Sequence, residues 1–558
     1  MTRAAVSSTA SSLRAAFRRR RPGSDHRCDQ RADPRFGSAG LIAGSDATRR
    51  KRRRLENLSR KRRFSAGRQV SAFACFLAVA VFGSACSDGS GPTPTTAAKT
   101  TTAAPPRPAG PAADLHELSG GNGVGLGSPT RVDLADTGYV ETEYAASGTA
   151  TSYDPQGELA PDGRWTFQAG TTAEYTTRVL VRRPAAEKFS GTVIVEWLNV
   201  SSGTDSDVVW SSTHEELVRR GHAWVGVSAQ RIGVMGGPAL TPTDGGSATA
   251  GGLVNTDPAR YGSLNQPGDG YSFDIFTQAA RAVRAGGVAM GDLKPRHVLA
   301  AGQSQSAFAL VTYINGVQPL TREFDGFLVH SRGGGGLPLA APGEPASLGS
   351  ETATSPTIIR ADTDVPVLEV QAEGDLRAPL NSVVSRQPDS GQFRLWEVAG
   401  AAHADAHTVG PFADALGCGA INNAPMHVVV KAALHALEEW VGEGTLPATA
   451  PRLEVTPNSP PQVARDADGI ARGGVRTPPV DVPVDILSGT PGPNPSVICS
   501  LFGSTAPLPA ERLTALYPSS DAYLQKYTTA ADSTIKAGFA LPADRDALLA
   551  YAQPTRIQ

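Results

Sequence analysis

The chain has 558 residues, 40% of them hydrophobic, and a formal net charge of −1. That is enough apolar material for one large domain with insertions or for two domains. The near-zero charge hides an asymmetry: residues 1–68 carry 20 Lys and Arg against 5 Asp and Glu, and the remainder carries 32 against 48. The main body is therefore acidic, which excludes nucleic-acid binding through bulk charge.

In chain order, residues 1–69 are a basic leader with runs such as Arg18 to Arg21 and Arg49 to Arg54. Such runs also suit a nucleic-acid arm. A leader, or an extension upstream of the true start codon, is the expected reading because a targeting signal follows at once. Residues 70–86 form that signal. A basic segment, Arg60-Lys-Arg-Arg63, precedes an apolar run from Val70 to Phe82, which ends at Gly83-Ser-Ala-Cys86. The run is short for a membrane span. Small residues directly before Cys86 resemble a bacterial lipobox, with Gly83 where an aliphatic is usual. Lipidation of Cys86 is therefore expected, leaving the protein tethered to the outer face of the cell membrane. Ordinary cleavage near Ala85, giving a free secreted protein, is the alternative. Residues 87–112, rich in Ser, Thr, Pro and Ala, read as a flexible tether.

From about residue 113 the pattern becomes globular. Strands are predicted at 178–183, 192–198, 223–228, 296–300, 327–330, 365–371 and 393–398. Helices are predicted at 207–220, 271–285, 306–316 and 426–442. Alternation of this kind implies an α/β fold, with a mainly parallel sheet and helices on both faces. The Gly- and Pro-rich segment 331–364 falls between two core strands and is expected to form a cap or rim. Segments 261–271 and 330–336 are expected to line the pocket. Residues 113–450 make the core, and residues 451–558 a C-terminal extension packed on it. Of the five Cys, Cys28 and Cys75 lie in the leader, and Cys418 and Cys499 remain in the exported body. There a disulfide between those two is expected.

Acyl-transfer chemistry needs a nucleophile, a base within hydrogen-bond reach, an acid to orient the base, and N–H donors for the developing oxyanion. Gly302-Gln-Ser-Gln-Ser306 offers Ser304 on a turn between a predicted strand and helix. Gly302 and Ser306 are small enough for that tight turn, although Ser306 stands where a second Gly is usual. His403 follows the strand 393–398 and a Gly/Ala loop, and is the candidate base; His407 is its rival. Asp375 and Glu373 both follow the strand 365–371. Asp375 is preferred as the acid, and Glu373 could replace it with a different loop path. The oxyanion donors are expected to be the N–H of Gln305 and that of Asn199 or Val200 in the loop after residue 198. Asp405 and His407 also suggest a metal site, but the intervening Ala404 and Ala406 and the lack of a third ligand argue against it. The chemistry asks for no metal or organic cofactor.

These residues resemble a bacterial family named the α/β-hydrolase domain-containing family. The resemblance rests on Val195-Glu-Trp-Leu-Asn-Val200, Ala301-Gly-Gln-Ser-Gln-Ser306 and Val398-Ala-Gly-Ala-Ala-His403. It continues in Ile421-Asn-Asn-Ala-Pro425 and Gly473-Gly-Val-Arg476, covering nearly all of residues 115–555. It implies the α/β-hydrolase fold and serine-hydrolase chemistry, with Ser304 and His403 at the motif positions. The expected activity is hydrolysis of a small-molecule or lipid ester through an acyl-enzyme. Acyl transfer to a cell-envelope alcohol on the same scaffold, or a non-catalytic binding lipoprotein, are the alternatives.

Overall fold

Two strands precede the predicted ones, β1 (Asp114–Leu118) and β2 (Tyr139–Pro155), and the strand predicted at 178–183 is the end of a longer third, β3 (Phe167–Pro184). They pair antiparallel, β1 with β2 and β2 with β3. The computed structural model that shows them describes residues 106–128, 133–134, 136–237, 251–346, 355–410, 417–494 and 496–557. The basic leader, the apolar run with Cys86, and the tether as far as residue 105 lie outside the described residues.

The chain continues through β4 (Thr192–Trp197), α1 (Val208–Arg220), β5 (Ala223–Val227) and α2 (Ser272–Ala285). Next come β6 (His297–Gln303), α3 (Gln305–Thr312), β7 (Gly326–His330), β8 (Val367–Ala372), β9 (Phe393–Val398) and α4 (Met426–Glu443). One nine-stranded sheet results, in the order β1-β2-β3-β5-β4-β6-β7-β8-β9. All neighbours from β5 to β9 are parallel. Their mainly apolar sequences follow from that position, because parallel strands covered on both faces have no solvent side on which to alternate.

The covering helices divide by face. Val193, Val195 and Trp197 of β4, and Val298 and Ala300 of β6, share a core with Phe273, Ile275 and Phe276 of α2 and Ala307 to Val311 of α3. The alternate residues Ile194, Leu299 and Ala301 point the other way, into a core with Val209 and Leu217 of α1 and Val429 to Leu437 of α4. Sheet and helix are also tied by polar bonds. The buried Glu196 of β4 accepts the N–H of Val209 at 2.8 Å and of Trp210 at 2.9 Å. It thereby satisfies orphan donors at the start of α1, which has no side-chain cap of its own.

The segment 331–364, expected to form a cap or rim, is anchored in the core at both of its ends. Some of its residues are built into the body, while 341–345, 355–356 and 361–362 stay exposed. Arg332 is fully buried and pairs with Glu369 of β8 at 3.0 Å, and Leu337 and Ile359 enter the core. Residues 451–557 supply the antiparallel pair β10 (Asp485–Ser488) and β11 (Ser504–Pro507), and the helix α5 (Ser520–Lys536). They are fastened to the end of β9, where Val475 donates to Glu397 O at 2.7 Å and Ala399 donates to Val475 O at 2.9 Å. A disulfide joins Cys418 to Cys499. Among the described residues, no helix is long and apolar enough to cross a membrane.

Candidate active site

The turn after β6 holds Ser304 at φ 58°, ψ −121°, a left-handed conformation that a side chain adopts at a cost of roughly 1–3 kcal/mol. Two backbone bonds keep it there: Ser304 N–H donates to His330 O at 2.9 Å, and Phe308 N–H donates to Ser304 O at 3.1 Å. The turn needs small flanks. A Cβ on Gly302 would lie 3.0 Å from the Ser306 carbonyl carbon and 3.1 Å from its Cβ. Strand and helix thus touch where the sequence has its smallest residues, and Ser304 is left projecting between them.

Two loops from later in the chain complete the arrangement. Asp375 lies on a short 3-10 turn, Glu373–Leu376, directly after β8. His403 ends the loop after β9. Nδ1 of His403 is 2.7 Å from Asp375 Oδ1, and Nε2 is 2.8 Å from Ser304 Oγ. A carboxylate only accepts, so Nδ1 carries the proton and Nε2 is free to accept from the serine hydroxyl. Asp375 is fully buried. Its second oxygen accepts the N–H of Ala372 at 2.6 Å, which fixes the carboxylate's rotation. Gln303 Nε2 donates to His403 O at 3.3 Å, linking the end of the nucleophile strand to the histidine loop.

Glu373 does not reach the imidazole, which corrects the alternative acid assignment. Two residues of 3-10 turn rotate it away from Asp375, and its carboxylate meets Arg465 and the N–H of Gly489 (3.0 Å) in the C-terminal extension. His407, the rival base, stacks on His427 with ring centroids 3.9 Å apart, and its Nε2 lies 3.3 Å from Ser211 O. Asp405 caps the short helix Ala406–Val409 through the N–H of Thr408 at 2.9 Å. Among the described residues, no group of His, Cys, Asp or Glu is arranged to hold a metal.

The oxyanion expectation is corrected in part. In the loop after β4, Leu198 N–H donates to Val227 O and Asn199 N–H to Ser206 O, while Ser201 N–H donates to Asn199 Oδ1. The backbone donor of Asn199 is spent on a bridge within its own loop, so Asn199 is not an oxyanion donor. Its side chain instead pins the loop to the nucleophile strand, with Nδ2 donating to Gln303 O at 3.0 Å. Val200 and Gln305 keep their candidacy. Gln305 is the first residue of α3, where an N–H has no intrahelical acceptor and the helix dipole favours negative charge. Gln230 Oε1 holds the Gln305 side chain and also accepts from Trp197 Nε1 at 3.0 Å. Behind the loop of Val200, the fully buried Arg178 pairs with Asp205 at 2.7 Å and Glu143 at 2.9 Å. Tyr261, expected at the pocket, is buried and donates to that same Glu143 at 2.9 Å.

Sequence reasoning gave His330 no individual role. It ends β7 opposite Gln303 in register. Burial pushes its imidazole down to about 4, the Asp375 charge opposing and the His403 charge adding to that shift. Neither ring nitrogen has a hydrogen-bond partner among the described residues. Its only sequence signal was its place at the end of a strand beside the nucleophile strand.

With this fold and site, the chain belongs to the family described as alpha/beta hydrolase domain, whose model matches residues 91–550. None of the curated proteins matches it. Solved structures similar to parts of it include XC6422 from Xanthomonas campestris, described as an a/b serine hydrolase without lid. That likeness is at 14% identity over 53% of this chain and 97% of that one, with a TM-score of 0.26. Carboxyl esterase 2 from Tuber melanosporum is 12% identical over 56% and 90%, with a TM-score of 0.29. Est1E from Butyrivibrio proteoclasticus is 12% identical over 53% and 100%, with a TM-score of 0.27. Likenesses at this level carry no argument about substrate.

Proposed function

We propose that the protein is an exported serine hydrolase of carboxylic esters, acting through Ser304, His403 and Asp375. The observation that carries this reading is the unbroken hydrogen-bonded line from Ser304 Oγ through the imidazole to Asp375, starting from a serine in a left-handed turn. Ser304 Oγ attacks the ester carbonyl while His403 Nε2 takes its proton. The oxyanion forms against the N–H groups of Gln305 and Val200. Collapse of the tetrahedral species expels the alcohol, which takes the proton from His403, and leaves an acyl group on Ser304. Water, deprotonated by the same imidazole, releases the acid. Asp375 keeps Nδ1 protonated and stabilises the imidazolium in both halves.

Ser304→Ala should abolish turnover of p-nitrophenyl acetate and labelling by a fluorophosphonate probe; full labelling of that variant would sink the assignment. The localisation belongs to the same reading: residues 60–86 direct export, and Cys86 carries a lipid that anchors the protein on the outer face of the membrane. Cys86→Ser should move the protein from the membrane fraction to the medium and stop incorporation of labelled palmitate. Retention of both lipid and membrane association in that variant would count against the anchor.

A further inference from the structure

The motifs that served no chemical step, 421–425 and 473–476, both converge with Glu373 on the loop that carries His403. That loop, 399–403, has no secondary structure of its own to fix it, and Gly400 takes φ 70°. Gly400 is nonetheless held from both sides by buried side chains. Its N–H donates to Glu373 Oε2 at 2.8 Å, and its carbonyl accepts from Asn422 Nδ2 at 2.7 Å. One residue on, Ala401 O accepts the N–H of Gly374 at 3.1 Å, joining the histidine loop to the acid's turn. One residue before, Ala399 is bonded to Val475.

Glu373 and Asn422 are themselves tied to a common base. Glu373 Oε1 meets Arg465, Gly489 N–H and Ser488 Oγ. Asn422 Nδ2 also donates to Ser488 O at 3.1 Å, and Asn422 N–H donates to Phe502 O at 2.9 Å. Both residues are at most 1% exposed. We propose that Glu373 and Asn422 are positioning residues for the reaction, clamping Gly400 by its N–H and its carbonyl so that His403 meets Ser304 and Asp375 together. The C-terminal extension supplies the groups that hold both residues in place.

This inference rests on the serine-hydrolase reading. Without the clamp, the loop can carry the imidazole away from both partners, and a displacement of about 1 Å costs on the order of 10²-fold in rate. In Glu373→Gln an amide NH2 replaces one acceptor, so either Gly400 or the Gly489–Arg465 side loses its partner. In Asn422→Ala the Gly400 carbonyl loses its donor.

The test is fluorophosphonate labelling of the full-length protein and both variants, well below their unfolding temperatures, with p-nitrophenyl acetate kinetics alongside. The labelling endpoint counts intact sites, and the rate per labelled site reports geometry, so partial unfolding does not mimic the effect. The expected result in each variant is a labelling rate and kcat per site lowered about 10- to 100-fold, with KM within twofold of wild type. Wild-type rates per site in both variants, with only the melting temperature lowered, would overturn the proposal and leave the serine-hydrolase reading standing. A wild-type protein that neither labels at Ser304 nor turns over the ester would overturn both. The two variants act on the N–H and the carbonyl of one residue, so either alone decides the matter if the other fails to fold.

Discussion

Asp375 and Glu373 sit two residues apart on one turn and take different partners, the first the His403 ring and the second the Gly400 N–H and the C-terminal extension. Asp375→Asn should therefore act directly on the imidazole: an amide NH2 facing Nδ1 favours the wrong tautomer. A drop in kcat of about 10³- to 10⁴-fold is expected, larger than that of Glu373→Gln, as read with p-nitrophenyl acetate. His330 has a different consequence. Its folded pKa of about 4 lies below the ordinary value near 6.5. The unfolded chain thus binds a proton that the folded chain refuses. Stability from this group is intact above pH 6.5 and is lost as pH falls from 6.5 toward 4, at about 1.4 kcal/mol per unit. Urea unfolding at pH 7 and pH 5 should show wild type losing about 2 kcal/mol more than His330→Phe. Equal losses would remove the assignment of a buried neutral imidazole.

At the scale of elements, the acid's turn and β10 approach backbone to backbone. A Cβ on Gly489 would lie 2.2 Å from the nitrogen of Gly374 and 2.6 Å from its Cα. Backbone cannot swing aside as a side chain can. Gly489→Ala should cost about 1–3 kcal/mol as an overpacking change, measured by chemical unfolding, while Gly391→Ala, whose Cβ meets nothing within 4 Å, serves as the control. The elements differ in how legible they were. β4, β6, β7, β8 and β9 announce themselves by a high share of apolar residues, because both faces are buried. β2 is long but built of Thr, Ala, Ser, Tyr and Gly, and its burial is irregular. Its strand state comes from pairing with β3 over 16 registered positions, a long-range property with no local pattern to reveal it.

Across the whole molecule, the extension is bound to the catalytic half by the Cys418–Cys499 disulfide, which spans a sequence separation of 81. Closing a loop of that length stabilises by about 4 kcal/mol in the chain-entropy account. The Cys418→Ser, Cys499→Ser double variant should lose an amount of that order in urea unfolding, and reductant should then have no further effect on it. His427 adds to the acid sensitivity of the molecule: burial pushes it down to about 2, the same direction and pH window edge as His330.

The alternation of strands and helices, the Ser304 turn and the loop that carries His403 are legible in the sequence, because each depends on residues close together in the chain. A tight strand-to-helix turn needs small flanks, and a buried strand needs apolar residues; both are written locally. Which of Asp375 and Glu373 meets His403, whether the Asn199 N–H is free, and which residues of 331–364 enter the core follow from tertiary contacts alone. Each of those outcomes depends on which distant group meets a given atom: Gly489 and Arg465 for Glu373, Ser206 for the Asn199 N–H, and Glu369 for Arg332. A carboxylate's type and spacing make it eligible for a role, and the partner brought to it by folding settles which role it has.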